Sequence, residues 1–335
     1  MRAETPIAVL GAGSWGTALA ILLARNGQRV RLWGHQPEVM AELRRLRRNL
    51  PFLPETAFPE GLEALDGLDA ALADGADVLI VVPSHAFRAV LVQIAPRLDG
   101  QPRLAWATKG LEMASGKLLH QVAAEVLPAA LPRAVISGPT FAREVAAGLP
   151  TAATVASTDA ATAEHFAARL RGPSFRAYTS GDVIGVELGG ALKNVLAIAT
   201  GISDGLGLGA NSRAALITRG LAEMIRLGEA LGGHRETFMG LAGVGDLVLT
   251  ATDDQSRNRR MGLALGRGQT QAQAQQAIGQ VVEGVDTARE IHTLGRQYGI
   301  DLPISEQVYQ VIYKGLDPHA AVHALLAREP KAEQL

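Results

Sequence analysis

A lysine sits in an otherwise apolar wall. Residues 189–201, GGALKNVLAIATG, carry only small or aliphatic side chains and one threonine apart from Lys193 and Asn194. An isolated buried ammonium is costly, so proteins neutralise it, pair it or use it. Only five of the 32 basic residues are lysines (Lys109, Lys117, Lys193, Lys314 and Lys331), the rest being arginines. Arginine keeps its proton in a protein, whereas lysine releases it once its surroundings lower its pKa. Lys117 and Lys331 have polar neighbours, and Lys314 stands before a glycine near the C-terminus. Lys109, in ATKGLE, and Lys193 both lie in largely apolar, Gly-containing stretches. Bringing a lysine from about 10.4 to about 7.5 takes roughly 4 kcal/mol of differential interaction. Partial burial and a second cation at about 6 Å are of that order. Such a group exchanges a proton with a substrate hydroxyl near neutral pH.

A proton-exchanging lysine needs an orienting partner and a hold on the substrate. GLAGVGDLVLTATDDQSRNRRMG supplies candidates for both. Asp246 and Thr250 stand at i, i+4, on one face if the segment is helical. Asp246 reads as an orienting carboxylate or, alternatively, as a helix cap. Asp253–Asp254 is a cap candidate. Ser256, Arg257 and Asn258 then combine a hydroxyl, a guanidinium and an amide at a helix N-terminus, a cradle for a phosphate. SGPT adds Gly138 and Thr140 on another turn. The substrate expected from these groups is small, anionic and phosphorylated.

The elements that must position these groups fall into two kinds. Runs at 7–11, 29–33, 77–83, 103–110, 133–139, 151–157 and 175–179 read as strands, several apolar throughout, with helical patterns between them. That alternation predicts a doubly wound α/β domain over 1–183. From 184 to 335 the chain is Ala/Leu-rich with helical spacing, which predicts an all-helical second domain. The 335 residues suffice for two cores. A net charge of −1 gives no reason to expect nucleic acid or an anionic membrane as partner. The absence of cysteine removes disulfide and thiol chemistry. No basic-then-apolar leader opens the sequence, and no apolar run reads as long enough to span a bilayer, so a cytoplasmic protein is expected. His319 and His323, at i, i+4, have no third ligand nearby and read as an exposed helix face rather than a metal pair.

GAGSWG places Gly11, Gly13 and Gly16 in the G-x-G-x-x-G spacing, after an apolar strand and at the start of a helix. In that context the glycines allow a tight turn, and the helix N-terminus meets a dinucleotide's pyrophosphate. Ser14 and Trp15 lie on the turn. The second strand ends in LWGHQP, with His35 and Gln36 and no acid for the ribose hydroxyls. Together with the arginines of LRRLRRN, this points to NADP or to indifference between NADP and NAD, with NADPH mildly preferred. An arginine run of this kind is more often a solvated helix face.

The blocks GAGSWGTALA, ATKGLE, SGPTFAREVAAGLPTA, VELGGALKNVLAIATGISDGLGLGANSRAALITRGLAEM, GLAGVGDLVLTATDDQSRNRRMG and VVEGV resemble, in order and over nearly the whole chain, the bacterial NAD(P)-dependent glycerol-3-phosphate dehydrogenases. The resemblance implies a Rossmann-type sheet domain followed by a helical substrate domain, and reversible reduction of dihydroxyacetone phosphate to sn-glycerol 3-phosphate for phospholipid synthesis. It also implies a cytoplasmic homodimer. It makes Lys193 the proton donor or acceptor, Lys109 a substrate and cofactor contact, and Asp246 part of the catalytic group. Gly138, Thr140, Ser256, Arg257 and Asn258 become substrate-binding. Ser14, Trp15, His35, Ala142, Arg257, Val281 and Glu283 become cofactor-binding. Gln36 departs from the pattern, standing where a basic residue is frequent, and Thr140 replaces the commoner serine. Two rivals remain: a hydroxyacid dehydrogenase of similar layout, and a cofactor sensor without turnover, which would be expected to lack Lys193, Asp246 or Arg257.

Overall fold

The computed structural model describes residues 5–98, 102–113 and 115–329; Lys331 lies outside them. The chain divides into two compact units. One comprises the residues up to Thr108 with His120–Val183, the other Lys109–Leu119 with the residues from Ile184 onward. The sequence reading kept 1–183 together, whereas in the structure the segment 109–119 does not stay with the first unit, which ends at Val183. Leu111 and Leu118 belong to the apolar core of the helical unit, and burying them there carries the segment with them.

The first unit is built on an eight-stranded sheet. Its strands in chain order, with a separate hairpin included, are β1 (Ile7–Leu10), β2 (Val30–Trp33), β3 (Arg48–Asn49), β4 (Leu53–Ala57), β5 (Leu62–Leu65), β6 (Asp77–Ile80), β7 (Leu104–Trp106), β8 (Arg133–Ser137), β9 (Thr151–Ala156) and β10 (Phe175–Ser180). The spatial order is β10-β9-β8-β7-β6-β1-β2-β5, and β3 with β4 forms the hairpin. Within the eight-stranded sheet, pairing is parallel except between β8 and β9. β1 and β6 are buried on every residue, as expected of central strands covered on both faces. The strand order reverses at β1, and the crevice beyond the carboxyl ends of such strands is where open α/β sheets bind ligands. All seven sequence-predicted strands form. The edge strand β5 and the β3–β4 hairpin were not expected, because LEAL and RN carry little strand signal and owe their conformation to tertiary pairing.

The second unit is helical. Its central helix, Val183–Gly205, is 23 residues long and, against the sequence expectation, is long and apolar enough by length and composition to cross a membrane. In the fold, 89% of its most apolar stretch is buried in the protein, so it is the core helix of this unit. It crosses the Arg257–Gly266 helix at glycines. A Cβ added at Gly201 would lie 2.9 Å from the Cα of Gly262, and one added at Gly262 would lie 2.8 Å from the Cα of Gly201. Backbone therefore meets backbone, which brings the start of the second helix beside the first.

Candidate active site

Lys193 projects from the central helix four residues after Gly189, on the same face. At Gly189 that face meets the backbone of a π-turn, Leu241–Gly245; a Cβ there would overlap the carbonyl of Ala242. The close approach sets the next helix, Asp246–Thr252, over Lys193. Lys193 Nζ donates to Asp246 Oδ1 at 2.8 Å and to Thr250 Oγ1 at 2.9 Å. Thr250 donates in turn to Asp246 Oδ1 at 3.2 Å. Lys109 Nζ takes the other carboxylate oxygen, Oδ2, at 2.6 Å. One carboxylate thus bridges two ammonium groups, and Asp246 is 1% exposed. Asp246 opens its helix after Gly245 instead of capping it, so the orienting role, not the cap, is what the geometry supports.

Burial pushes the Lys193 ammonium down to about 8; the Asp246 carboxylate opposes this, and the charge of Lys109 adds to it. Burial pushes the Asp246 carboxyl up, but Lys109 and Lys193 outweigh it and hold the group below the usual carboxylate range. With both lysines protonated, the cluster carries one net positive charge in a site shielded from water, where an anionic substrate is attracted strongly. Two of the three Lys193 N–H bonds are taken, and the third is left to meet a substrate oxygen.

Ser256 is the N-cap of the Arg257–Gly266 helix, its Oγ accepting from Arg259 N at 3.1 Å. The cap expected at Asp253–Asp254 is therefore corrected. Asp253 ends the preceding helix and accepts from Gln255 N, and Asp254 pairs with Arg259 at 2.9 Å. Asn258 locks three helices: its Nδ2 donates to Asn194 Oδ1 at 2.8 Å, and its Oδ1 accepts from Gly284 N at 2.9 Å. Arg257, at the first helical position, is half-buried with its guanidinium uncommitted among the described residues. Glu283 opens the Glu283–Tyr298 helix, and its charge favours the protonated form of Lys193; Val281, just before, is exposed. The sequence reading gave Asn194 no role; its buried Nδ2 has no partner among the described residues and lies beside Lys193 in sequence. Its adjacency to Lys193 was the available signal.

In the first unit the glycine turn follows β1. Gly11 has φ +125°, which side-chain-bearing residues rarely adopt. A Cβ at Gly16 would overlap the Gly11 carbonyl, and one at Gly13 would meet nothing within 4 Å, so the turn is tight inside and open outside. The helix Ser14–Arg25 begins there with Gly13 as N-cap, and the buried indole Nε1 of Trp15 has no partner. An open backbone turn at a helix N-terminus and an unpartnered donor fit a dinucleotide. Asn49, absent from the sequence reading, latches this turn, donating to Ala12 O at 3.0 Å and Thr17 Oγ1 at 2.8 Å.

His35 and Gln36 follow β2 and are exposed. Most of the arginine run is committed elsewhere. Arg44 donates to Ala64 O, Arg47 to Pro59 O and Arg48 to Pro54 O, so of that run Arg45 remains for a 2′-phosphate. Gly138, at φ +153°, allows β9 to approach; a Cβ there would lie 2.9 Å from Ala153 Cα. Thr140 Oγ1 donates back to the Gly138 carbonyl at 3.0 Å, and Ala142 begins the helix Ala142–Ala147.

A doubly wound sheet with a dinucleotide turn, followed by a helical unit with a buried lysine–carboxylate cluster, is the layout of a pyridine-nucleotide dehydrogenase. The family model described as the NAD-dependent glycerol-3-phosphate dehydrogenase N-terminus matches residues 6–163, and that of the C-terminus matches residues 182–323. A glycerol-3-phosphate dehydrogenase (NAD(P)+) of Thioalkalivibrio sulfidiphilus is 59% identical over 330 residues, 98% of this chain and 99% of the relative. One of Sodalis glossinidius is 55% identical over 335 residues, 100% of this chain and 99% of the relative. The crystal structure of glycerol-3-phosphate dehydrogenase from Coxiella burnetii superposes with a TM-score of 0.94 at 53% identity, covering 97% of this chain and 99% of that one. The chain belongs to the NAD-dependent glycerol-3-phosphate dehydrogenase family.

Proposed function

We propose that the chain interconverts dihydroxyacetone phosphate and sn-glycerol 3-phosphate with NADPH or NADH, with Lys193 exchanging the proton. The observation that carries this reading is the Lys109–Asp246–Lys193–Thr250 cluster, in which one lysine is brought to about 8. The bound nicotinamide would supply or take up the hydride; Gly11, Gly13, Ser14, Trp15, Gly16, His35 and Ala142 of the first unit, and Arg257, Val281 and Glu283 of the second, are the residues proposed to hold the dinucleotide. Lys193 presents its remaining N–H to the C2 oxygen of the ketone and gives up the proton as the alkoxide develops; in the reverse direction the neutral amine takes it back. Asp246 and Thr250 fix the direction of that nitrogen. Lys109, shared through Asp246, contributes positive charge beside the developing oxyanion and a second contact to substrate and cofactor. Arg257 at the helix N-terminus, with Ser256 and Asn258, holds the phosphate, and Gly138 and Thr140 are the substrate contacts proposed in the first unit. The absence of a carboxylate at Gln36, set against an arginine run largely engaged elsewhere, supports use of both cofactors with at most a mild preference for NADPH. Supply of sn-glycerol 3-phosphate to phospholipid synthesis, a homodimeric state and a cytoplasmic location complete the reading.

The deciding experiment follows loss of nicotinamide absorbance with dihydroxyacetone phosphate, using NADPH and NADH in parallel. Rapid oxidation of either supports the assignment, and the ratio of rates gives the preference. A folded, cofactor-binding protein that oxidises neither with this substrate, but turns over a 2-oxo acid, would overturn it.

A further inference from the structure

The helical unit holds a second cavity of about 770 Å³, lined by the Gly209–Ala230, Pro303–Lys314 and Pro318–Leu326 helices and the end of the central helix. This volume lies in the range of small-molecule sites, roughly 300–1,000 Å³. Its wall includes Ser203, ten residues beyond Lys193 on the same helix and so about 15 Å further along it. Most of the wall is aliphatic: Ile202, Leu216, Val308, Val311 and Leu325 line it, and Leu208 and Leu326 at its edge are 39% and 78% exposed.

Two polar atoms interrupt the aliphatic wall without partners. Ser203 is 2% exposed and its Oγ makes no hydrogen bond; the Oε1 of Gln307 is likewise buried and unpaired. Both residues line the cavity, and an unpaired buried polar atom costs stability until a partner reaches it. Arg219 and Arg226 also line the cavity, two turns apart on one helix face. Arg226 donates to the backbone carbonyl of Asp301, and neither guanidinium has a carboxylate within ion-pair distance among the described residues. The acidic groups nearby are largely engaged. Glu223 accepts from Ile304 N, Ser305 N and Ser305 Oγ, and Asp301 pairs with Arg328; Glu329 stands at the rim.

We propose that this cavity binds a single-chain anionic amphiphile. The aliphatic chain would lie against the leucine and valine wall, the anionic head would meet Arg219 and Arg226, and a free hydroxyl near the head would donate to Gln307 and accept from Ser203. A monoacylated glycerol phosphate has all three features. The site is separate from the Lys193 cluster, and its test does not depend on the dehydrogenase reading.

The test is calorimetric titration of the full-length protein with 1-dodecanoyl-glycerol 3-phosphate below its micellar concentration. Dodecyl phosphate, which lacks the hydroxyl, and zwitterionic dodecylphosphocholine serve as comparison probes. One equivalent is expected to bind per chain, at least tenfold more tightly than dodecylphosphocholine. Arg219→Glu should weaken binding at least tenfold, and Ser203→Ala should abolish the preference over dodecyl phosphate. Leu216→Trp, which fills the cavity, should remove binding. Turnover of each variant without lipid should stay within twofold of the parent; should Leu216→Trp not fold, the other two still decide. Absence of binding, or equal affinity for the zwitterion, overturns the proposal. So does a halving of molecular mass in Leu216→Trp without lipid, which would make a second copy of the chain the occupant.

Discussion

Lys193 and Lys109 share one carboxylate, and burial on the core helix draws Lys193 toward neutral pH. In its proposed role Lys193 must be an ammonium to reduce the ketone, so kcat for dihydroxyacetone phosphate should fall as pH rises through about 8, while oxidation of the alcohol should rise through the same pH. Asp246→Asn removes the attraction that opposes deprotonation of Lys193, and the midpoint in both directions should move to lower pH. A midpoint unmoved in that variant would assign the titration to another group. Lys193→Ala should lose about 10²-fold or more in kcat while nucleotide binding, followed by fluorescence, stays near the parent value; Lys193→Arg should not restore activity, because guanidinium does not release its proton. The pairing of Lys193 with Asp246 and Thr250 was legible in sequence because residue type and spacing alone point to it. Asn49 and Asn194 were not, since an amide acquires meaning only from the strand or helix brought against it.

At the scale of elements, positions along a chain convert into chemistry through close backbone approach. Gly189 lets the 241–245 turn settle on the core helix, and the turn delivers Asp246. Gly189→Ala should therefore lower stability by about 1–3 kcal/mol, measured by denaturant midpoint, and reduce kcat more than the loss of stability explains. Wild-type kcat in a destabilised variant would show that the turn accommodates the methyl without moving Asp246. The alternation of apolar runs and helical stretches made the sheet readable, strand by strand. The edge strand β5 escaped because four residues with one glutamate carry no alternation worth reading, and the membrane-length helix escaped because Lys193 and Asn194 break its apolar run in sequence but not in space. Likewise the arginines of LRRLRRN announced positive charge, but not that three of them end on carbonyls of their own unit.

For the whole molecule, two buried groups give stability a pH dependence of opposite sign. Burial pushes Glu223 up to about 7 from an ordinary 4.5, so the folded state holds its proton more tightly and stability falls as pH rises through that window. Lys193, at about 8 against 10.5 unfolded, sheds its proton first in the folded state, and stability rises between those values. Each window spans roughly 3 kcal/mol at most. Glu223→Gln should flatten the acid-side slope, as thermal midpoints at pH 5 and 7 would show, and an unchanged slope would place that dependence elsewhere.

The segment 109–119 sets an order of events during synthesis. Lys109 leaves the ribosome 137 residues before Asp246, and the first unit's last three strands are made while this segment has no core to enter. A fragment ending at 183 would hold Leu111 and Leu118 in water and an ammonium without its carboxylate. Splitting the gene at the apparent border would therefore yield two halves that each carry part of the other.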